Sequence, residues 1–392
     1  MDRTADSLIA VPMIDLERQY APLRSELMEA LGTVIDQRQF ILGEPVARFE
    51  AAAAAQLGVE AAIGCASGTD ALWLALASAG IGPGDAVVTT PFSFFASVSS
   101  ILRVGARPVL ADIDPDGFNL SPEAVKTTLN QPAGENIRAL LPVHLYGQCV
   151  DWEGFAELAR AHRLLLVEDA AQAWGASWRQ THAGALGDIA AFSFYPTKNL
   201  SAAGDAGLVT TRNEEFAERA RALRQHGMRV RYHHDEVGWN ARMDGFQGAV
   251  LGVKLRYIGR WNELRRAAAA RYDGMFRAAG LDESGLYPEH GVVLPREKAG
   301  NHHVWHQYVI RCARRDGLRA FLSGRRIGSE VYYPIPLHRQ KALASLGYRE
   351  GDFPESERAA REVLALPIFP EITEAEQQCV VDAIASFLSE AR

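Results

Sequence analysis

Two residues of opposite chemistry stand at the ends of two apolar runs. Lys198 lies in Phe192-Ser193-Phe194-Tyr195-Pro196-Thr197-Lys198-Asn199, just after Ile189-Ala190-Ala191. About thirty residues earlier, the run Leu164 to Val167 ends in Glu168-Asp169-Ala170-Ala171-Gln172. Short apolar runs bounded by polar residues read as buried strands, so an amine and a carboxylate are each expected at a strand end. An amine forms a Schiff base with a carbonyl, and a carboxylate keeps a pyridine nitrogen protonated so that the ring draws in electrons. The pair predicts pyridoxal 5'-phosphate (PLP) as cofactor, with Lys198 as the catalytic amine and pyridoxamine 5'-phosphate as the alternate cofactor form. A lone lysine after a strand is usually a solvated surface residue. The carboxylate at matching position is what separates Lys198 from that reading.

Such a cofactor also needs a phosphate cradle, a surface for its ring and a partner for its phenolic oxygen. Ser67-Gly68-Thr69-Asp70 precedes the apolar stretch Ala71-Leu72-Trp73-Leu74-Ala75-Leu76. Read minimally this is a helix N-cap; it also offers free N–H groups and a hydroxyl to a phosphate. Pro91-Phe92-Ser93-Phe94-Phe95 follows another strand candidate, and its aromatics suit either core packing or ring stacking. Ser193 places a hydroxyl near the same edge, and Gln172, three residues after Asp169, suits the phenolic oxygen. In open α/β sheets ligands gather outside the carboxyl ends of the strands, where all of these residues are expected.

The elements that would carry them alternate between about residues 60 and 225. Strands are expected at Ala86–Thr90, Arg107–Ala111, Arg138–Val143, Leu164–Glu168, Ile189–Phe194 and Ala206–Thr211, with helices at Asp70–Gly80, Ala96–Val104 and Asp151–His162. The class is α/β, with a mainly parallel mixed sheet flanked by helices. Asn213 is the expected cap of the next helix, and five alanines at 51–55 favour a helix over disorder. From Asp244 to Ala279 the pattern is helical throughout, which suits a long helix joining a large domain (1–250) to a smaller α+β one (251–392). That second part predicts strands at His306–Arg311 and Ser329–Tyr333 and helices at Arg315–Arg326, near Glu355–Leu364 and at Thr373–Ser389.

The 392 residues carry a net charge of -7 with no basic stripe, which argues against a nucleic-acid partner. Four scattered cysteines read as reduced thiols, no apolar run is long enough to span a bilayer, and the N-terminus lacks a signal pattern. A cytoplasmic protein is expected. His233-His234 and the trio His302, His303 and His306 lack a cysteine or carboxylate at ligand spacing, so no metal site is expected.

From Pro12-Met13-Ile14-Asp15-Leu16 to Leu366-Pro367-Ile368-Phe369-Pro370 the chain resembles the DegT/DnrJ/EryC1/StrS family of sugar aminotransferases, of fold-type I (aspartate aminotransferase-like) architecture. The blocks that carry this are Phe40-Ile41-Leu42-Gly43, Gly68-Thr69-Asp70-Ala71-Leu72, Pro142-Val143-His144-Leu145-Tyr146-Gly147-Gln148, the Asp169 and Lys198 segments, Gly238-Trp239-Asn240-Ala241-Arg242-Met243-Asp244 and Tyr333-Pro334-Ile335-Pro336-Leu337-His338. The resemblance implies that Lys198 holds the cofactor and shuttles the proton. It implies Asp169 on the pyridine nitrogen, Gln172 on the phenolic oxygen, Gly68, Thr69 and Ser193 on the phosphate, and Phe94 on the ring. Asn240 is implied to reach the phosphate of a partner subunit, which makes the active site the product of a homodimer. Tyr195, His233 and His338 are implied on the substrate side. Ser67 replaces a frequent Asn, and Ala206 a frequent Gly that would be strained at positive φ.

The implied reaction is amino transfer from L-glutamate to a ketone of a nucleotide-linked deoxysugar. The His-containing loop and the Gly238-Trp239-Asn240 segment look most like enzymes making 3-amino-3,6-dideoxyhexoses on a dTDP carrier. Amination at C4, an aminocyclitol or aminohydroxybenzoate product, a PLP-dependent dehydratase or lyase, and a non-catalytic regulatory homologue are the alternatives. The dehydratase branch replaces the lysine with histidine, and Lys198 speaks against it.

Overall fold

The structure is a computed structural model and describes residues 9–131 and 136–390. Its centre is a seven-stranded sheet. In chain order its strands are β1 (Ala61–Cys65), β2 (Ala86–Thr89), β3 (Arg107–Leu110), β4 (Ile137–Leu140), β5 (Leu165–Asp169), β6 (Ile189–Ser193) and β7 (Gly207–Thr211). They lie in the spatial order β1-β7-β6-β5-β4-β2-β3. The pairs from β3 through β6 are parallel, whereas β7 runs antiparallel to both β1 and β6. Nearly every residue of β1, β2, β6 and β7 is buried, as expected for strands covered on both faces.

The six strands expected between residues 86 and 211 all form, within two residues at most ends or a few at the longest; β1 is additional. Its five residues, Ala-Ala-Ile-Gly-Cys, follow an alanine-rich helix (Gly43–Leu57) and carry little strand signal of their own. They become a strand because β7 supplies the whole ladder, from Ala61 opposite Thr211 to Cys65 opposite Gly207. Asn213 caps the helix Glu214–Leu223 by accepting from the Glu215 and Phe216 amides.

The expected long helix at 244–279 is two helices, Gly245–Lys254 and Ile258–Ala278. Between them Leu255 and Tyr257 stay in the right-handed region, so the break is a local tightening rather than a Gly or Pro kink. Lys254, at the end of the first helix, is wholly enclosed. The C-terminal part has a two-stranded antiparallel sheet of β8 (Tyr308–Arg311) and β9 (Val363–Leu366), packed by helices Arg315–Gly324 and Glu374–Ser389. Ser329–Tyr333 is not a strand. Only Glu330 bridges to Ala365; beyond it the Tyr332 carbonyl is taken by the Tyr146 hydroxyl, and Pro334 and Pro336 can donate nothing to a ladder. No helix among the described residues is long and apolar enough to cross a membrane.

Candidate active site

β5 and β6 run in parallel register with Asp169 opposite Ala191, so both end at the same edge of the sheet. Asp169 is buried, and two donors hold its carboxylate: the Ser97 hydroxyl at 2.7 Å and the Ala171 amide at 3.2 Å. Burial raises its pKa, while Ser97, Ala171 and the Lys198 charge oppose the rise and favour the carboxylate. Lys198 follows β6 by one turn, fixed by its amide donating to the Tyr195 carbonyl at 2.8 Å. Burial lowers its pKa to about 8, against the pull of the Asp169 charge. The chain thus sets an amine of lowered pKa within the field of a buried carboxylate.

The next strand edge shapes an anion cradle. Ser67 caps helix Gly68–Ser78 by accepting from the Asp70 amide, which leaves the first-turn N–H groups of Gly68 and Thr69 without helical partners. A Cβ on Gly68 would lie 2.4 Å from Ser193 Cβ, and one on Gly207 only 2.2 Å from the Ser67 carbonyl oxygen. Glycine at both positions lets the helix N-terminus close onto Ser193. A phosphate fits that chemistry: free N–H groups, a helix dipole and two hydroxyls. Ala206 does not have positive φ, so the expected strain is absent.

Gln172 has its amide orientation fixed. Its Oε1 accepts from the backbone amide of Tyr146 at 2.6 Å, a group that can only donate, so Nε2 faces inward and donates to the Tyr333 hydroxyl at 3.2 Å. An inward N–H is what a phenolate oxygen requires. Phe94 exposes 58% of its surface and its ring centroid lies 6.3 Å from that of Tyr333, so the ring stands free to cover a flat ligand.

Several residues that sequence reasoning passed over complete the site. Ser97 donates to Asp169 and contacts Ser93 at 2.9 Å. Tyr146, at φ 59°, places its amide on Gln172. Tyr333 joins Gln172 to Phe94. His144 accepts the Val150 amide at Nδ1, so its Nε2 donates to Glu168, whose carboxylate also takes the Gly184, Leu186 and Gly187 amides. That clasp fastens the loop ahead of β6. Lys254 binds the Ser201 and Tyr20 hydroxyls and stands 4.4 Å from the Tyr20 ring centroid, beneath the loop that follows Lys198; burial lowers its pKa to about 7.

The proposed substrate-side residues are placed less uniformly. Tyr195 is exposed on the Lys198 turn. His338 is buried, with Nε2 on Glu357 at 2.9 Å and Nδ1 without a hydrogen-bond partner among the described residues; its loop reaches the site through the Leu337 amide, which donates to the Pro91 carbonyl. His233 and Asn240 lie on an exposed edge, where Asn240 bridges to Gln225, and no hydrogen bond or ion pair among the described residues ties them to Lys198. Among the described residues no group of histidines, cysteines and carboxylates could hold a metal.

The comparisons bear on the family and the fold. The model of the DegT/DnrJ/EryC1/StrS aminotransferase family matches residues 22–385. A protein of Geobacillus stearothermophilus named "Pleiotropic regulatory protein" is 47% identical, over 96% of this chain and 98% of its own. The dTDP-3-amino-3,4,6-trideoxy-alpha-D-glucose transaminase of Streptomyces venezuelae is 41% identical, over 95% of each chain. Among solved structures, S. venezuelae DesV superposes with a TM-score of 0.91 at 41% identity, covering 97% of this chain and 98% of that one. NtdA of Bacillus subtilis, solved with its cofactor PMP bound, superposes with a TM-score of 0.87 at 28% identity, covering 99% and 87%. The chain is therefore a PLP-dependent aminotransferase and belongs to the DegT/DnrJ/EryC1/StrS aminotransferase family.

Proposed function

We propose that the chain transfers the amino group of L-glutamate to a keto carbon of a nucleotide-linked deoxysugar, at C3 of a 6-deoxyhexose carried on dTDP. The observation that carries the transaminase core is the placement of Lys198 and Asp169 at one sheet edge, where desolvation lowers the lysine to about 8 against the pull of the Asp169 charge. When bound, the cofactor supplies an electron sink for the carbon that exchanges its amine. Gly68, Thr69 and Ser193 bind its phosphate, and Phe94 covers its ring. Asp169, whose carboxylate accepts from the Ser97 hydroxyl and the Ala171 amide, would hold a proton on the ring nitrogen. Gln172 Nε2 donates to the phenolic oxygen. Lys198 Nζ would be the base that takes the proton from the substrate carbon.

The sugar assignment is supported by the S. venezuelae transaminase, whose name specifies a dTDP-linked 3-amino sugar. The homodimer is supported by the segment from Met228 to Asn240, which exposes Val230, Tyr232 and Val237 beside Asn240. In that assembly Asn240 completes the partner's phosphate site, and His233, Tyr195 and His338 stand toward the sugar. The enzyme acts in the cytoplasm, on a soluble sugar nucleotide.

The relative named as a regulatory protein supports a second reading, in which the chain binds the same small molecules and signals their presence. One experiment separates the readings. The purified protein with PLP is given L-glutamate and then a dTDP-3-keto-6-deoxyhexose or its 4-keto isomer, with 2-oxoglutarate and amino sugar measured together. Equimolar 2-oxoglutarate and 3-amino sugar are expected. Turnover of the 4-keto isomer alone would move the reaction to C4. Ligand binding with no 2-oxoglutarate from either ketone would favour the regulatory reading.

A further inference from the structure

A directional chain of hydrogen bonds runs behind Lys198, and its polarity can be read from its two ends. Asn199, next to the lysine, is buried; its Nδ2 donates to the Val304 carbonyl at 3.0 Å and to Asn262 Oδ1 at 2.8 Å. Asn262 Nδ2 in turn donates to the Trp174 carbonyl at 3.0 Å. Backbone carbonyls only accept, so both amide nitrogens are assigned by their partners. Asn199 Oδ1 is left facing His306 Nδ1 at 3.1 Å, and that imidazole nitrogen must carry the proton. His306 is held neutral, its pKa well below the usual value, by burial and by the charges of Lys198, Arg265 and His303.

The far end of the chain is the turn that carries the rest of the chemistry. Trp174 lies two residues beyond Gln172, and Gly175, at φ 86°, has no side chain because a Cβ there would fall 2.5 Å from Asn262 Nδ2. The segment holding His306 is itself clamped. The Val304 amide donates to Gly147 O and the Gln307 amide to Tyr146 O, while the Arg265 guanidinium reaches the Trp305, His306 and Ile368 carbonyls. Tyr146 is the residue whose amide orients Gln172.

We propose that His306 is a positioning residue for Lys198: by donating from Nδ1 to Asn199 it locks, through Asn262, the turn of the lysine to the turn of Asp169 and Gln172. The proposal rests on the reading of Lys198 as the cofactor-binding amine. It assigns the imidazole a function through one nitrogen only. Asparagine can present a donor where Nδ1 stands; glutamine reaches instead to the place of Nε2.

The test compares His306→Asn, His306→Gln and His306→Leu, with Asn262→Ala as a second break in the same chain. The readouts are the pH titration of the visible absorption band of the lysine-bound cofactor, and kcat and KM for glutamate. His306→Leu is expected to lower kcat about 100-fold with little change in KM, the size of effect a misplacement of about 1 Å produces. Its band should titrate about one pH unit from the wild-type value. His306→Asn should restore the wild-type titration and most of the rate, and His306→Gln neither. The double variant His306→Leu/Asn262→Ala should be no slower than the worse single one, because both break one chain. Rescue by Gln instead of Asn, an unchanged titration in all variants, or additive losses in the double variant would each overturn the proposal. A wild-type protein that forms no visible band with PLP, or a Lys198→Ala variant that keeps it, would instead sink the reading of the site on which the proposal rests.

Discussion

The sheet edge around Lys198 and the segment from Met228 to Asn240 are built on opposite terms. At the sheet edge Asp169, Gln172, Glu168 and Asn199 are buried, and each has its partners inside the chain. In the other segment Val230, Tyr232 and Val237 expose 63%, 76% and 89% of their surface. Its base is nevertheless tight: a Cβ on Gly227 would fall 1.8 Å from the Glu236 carbonyl oxygen, and one on Gly238 2.2 Å from the Gly227 nitrogen. A well-anchored loop that presents apolar side chains to solvent is shaped for a partner. The first region therefore holds its geometry within one subunit, whereas on the proposed homodimer reading the second acquires its function from another.

That contrast can be broken by mutation. Lys198→Ala should have the largest effect, a loss of about 10²–10⁴-fold or more in kcat with the fold retained, seen as absence of the visible cofactor band beside an unchanged circular dichroism spectrum. Gly207→Ala should come next: the overpacked Cβ costs about 1–3 kcal/mol, and PLP titration should show cofactor affinity falling by the corresponding factor. A wild-type affinity in that variant would show that the cradle lies elsewhere.

Val237→Lys combined with Tyr232→Asp sharpens the comparison from the other side. Scattering should show dimers dissociating, and kcat should fall as Asn240 leaves the partner's site, while each subunit melts within about 0.5 kcal/mol of wild type as surface changes do. Unchanged mass and rate would mean that the exposed segment has no partner. Ser97→Ala removes one donor to a buried carboxylate, worth about 1.5–3 kcal/mol. It should raise the Asp169 pKa further and lower kcat roughly tenfold, measured with glutamate alone.

The smallest effect is a shift along the pH axis. Because burial depresses Lys198 to about 8 and the Asp169 charge partly restores it, the rate of cofactor attachment should rise with pH and level off above about 8. In Asp169→Asn the restoring charge is gone, so the midpoint should move to lower pH. A midpoint moving upward would mean that the two groups do not sense each other.

Much of the sheet and the site was legible because both depend on local patterns. Apolar runs marked β2 to β7; Asp169 and Lys198 lie together because the parallel strands β5 and β6 bring their carboxyl ends to one edge, and β7, running the other way, meets that edge with its amino end at Gly207. Local patterns also mislead. Asp112, Asp114, Asp116, Gly117 and Glu123 carry the spacing of a calcium loop, yet Asp112 caps a helix through the Glu355 and Ser356 amides, and Lys298 sits against Asp114 at 3.0 Å and against Asp116. A lysine almost two hundred residues away in sequence supplies the cation.

By itself the sequence determined the residue types at the strand ends and their order, since strand period and breakers act over a few neighbours. Tertiary structure decided the rest. It made a strand of Ala61–Cys65 by offering β7 as a partner, withheld one from Ser329–Tyr333 by taking its carbonyl for Tyr146, and lowered the Lys198 pKa by desolvating its amine. Ladder partners, hydrogen-bond direction and desolvation are properties of what surrounds a residue, and those surroundings are assembled from distant parts of the chain.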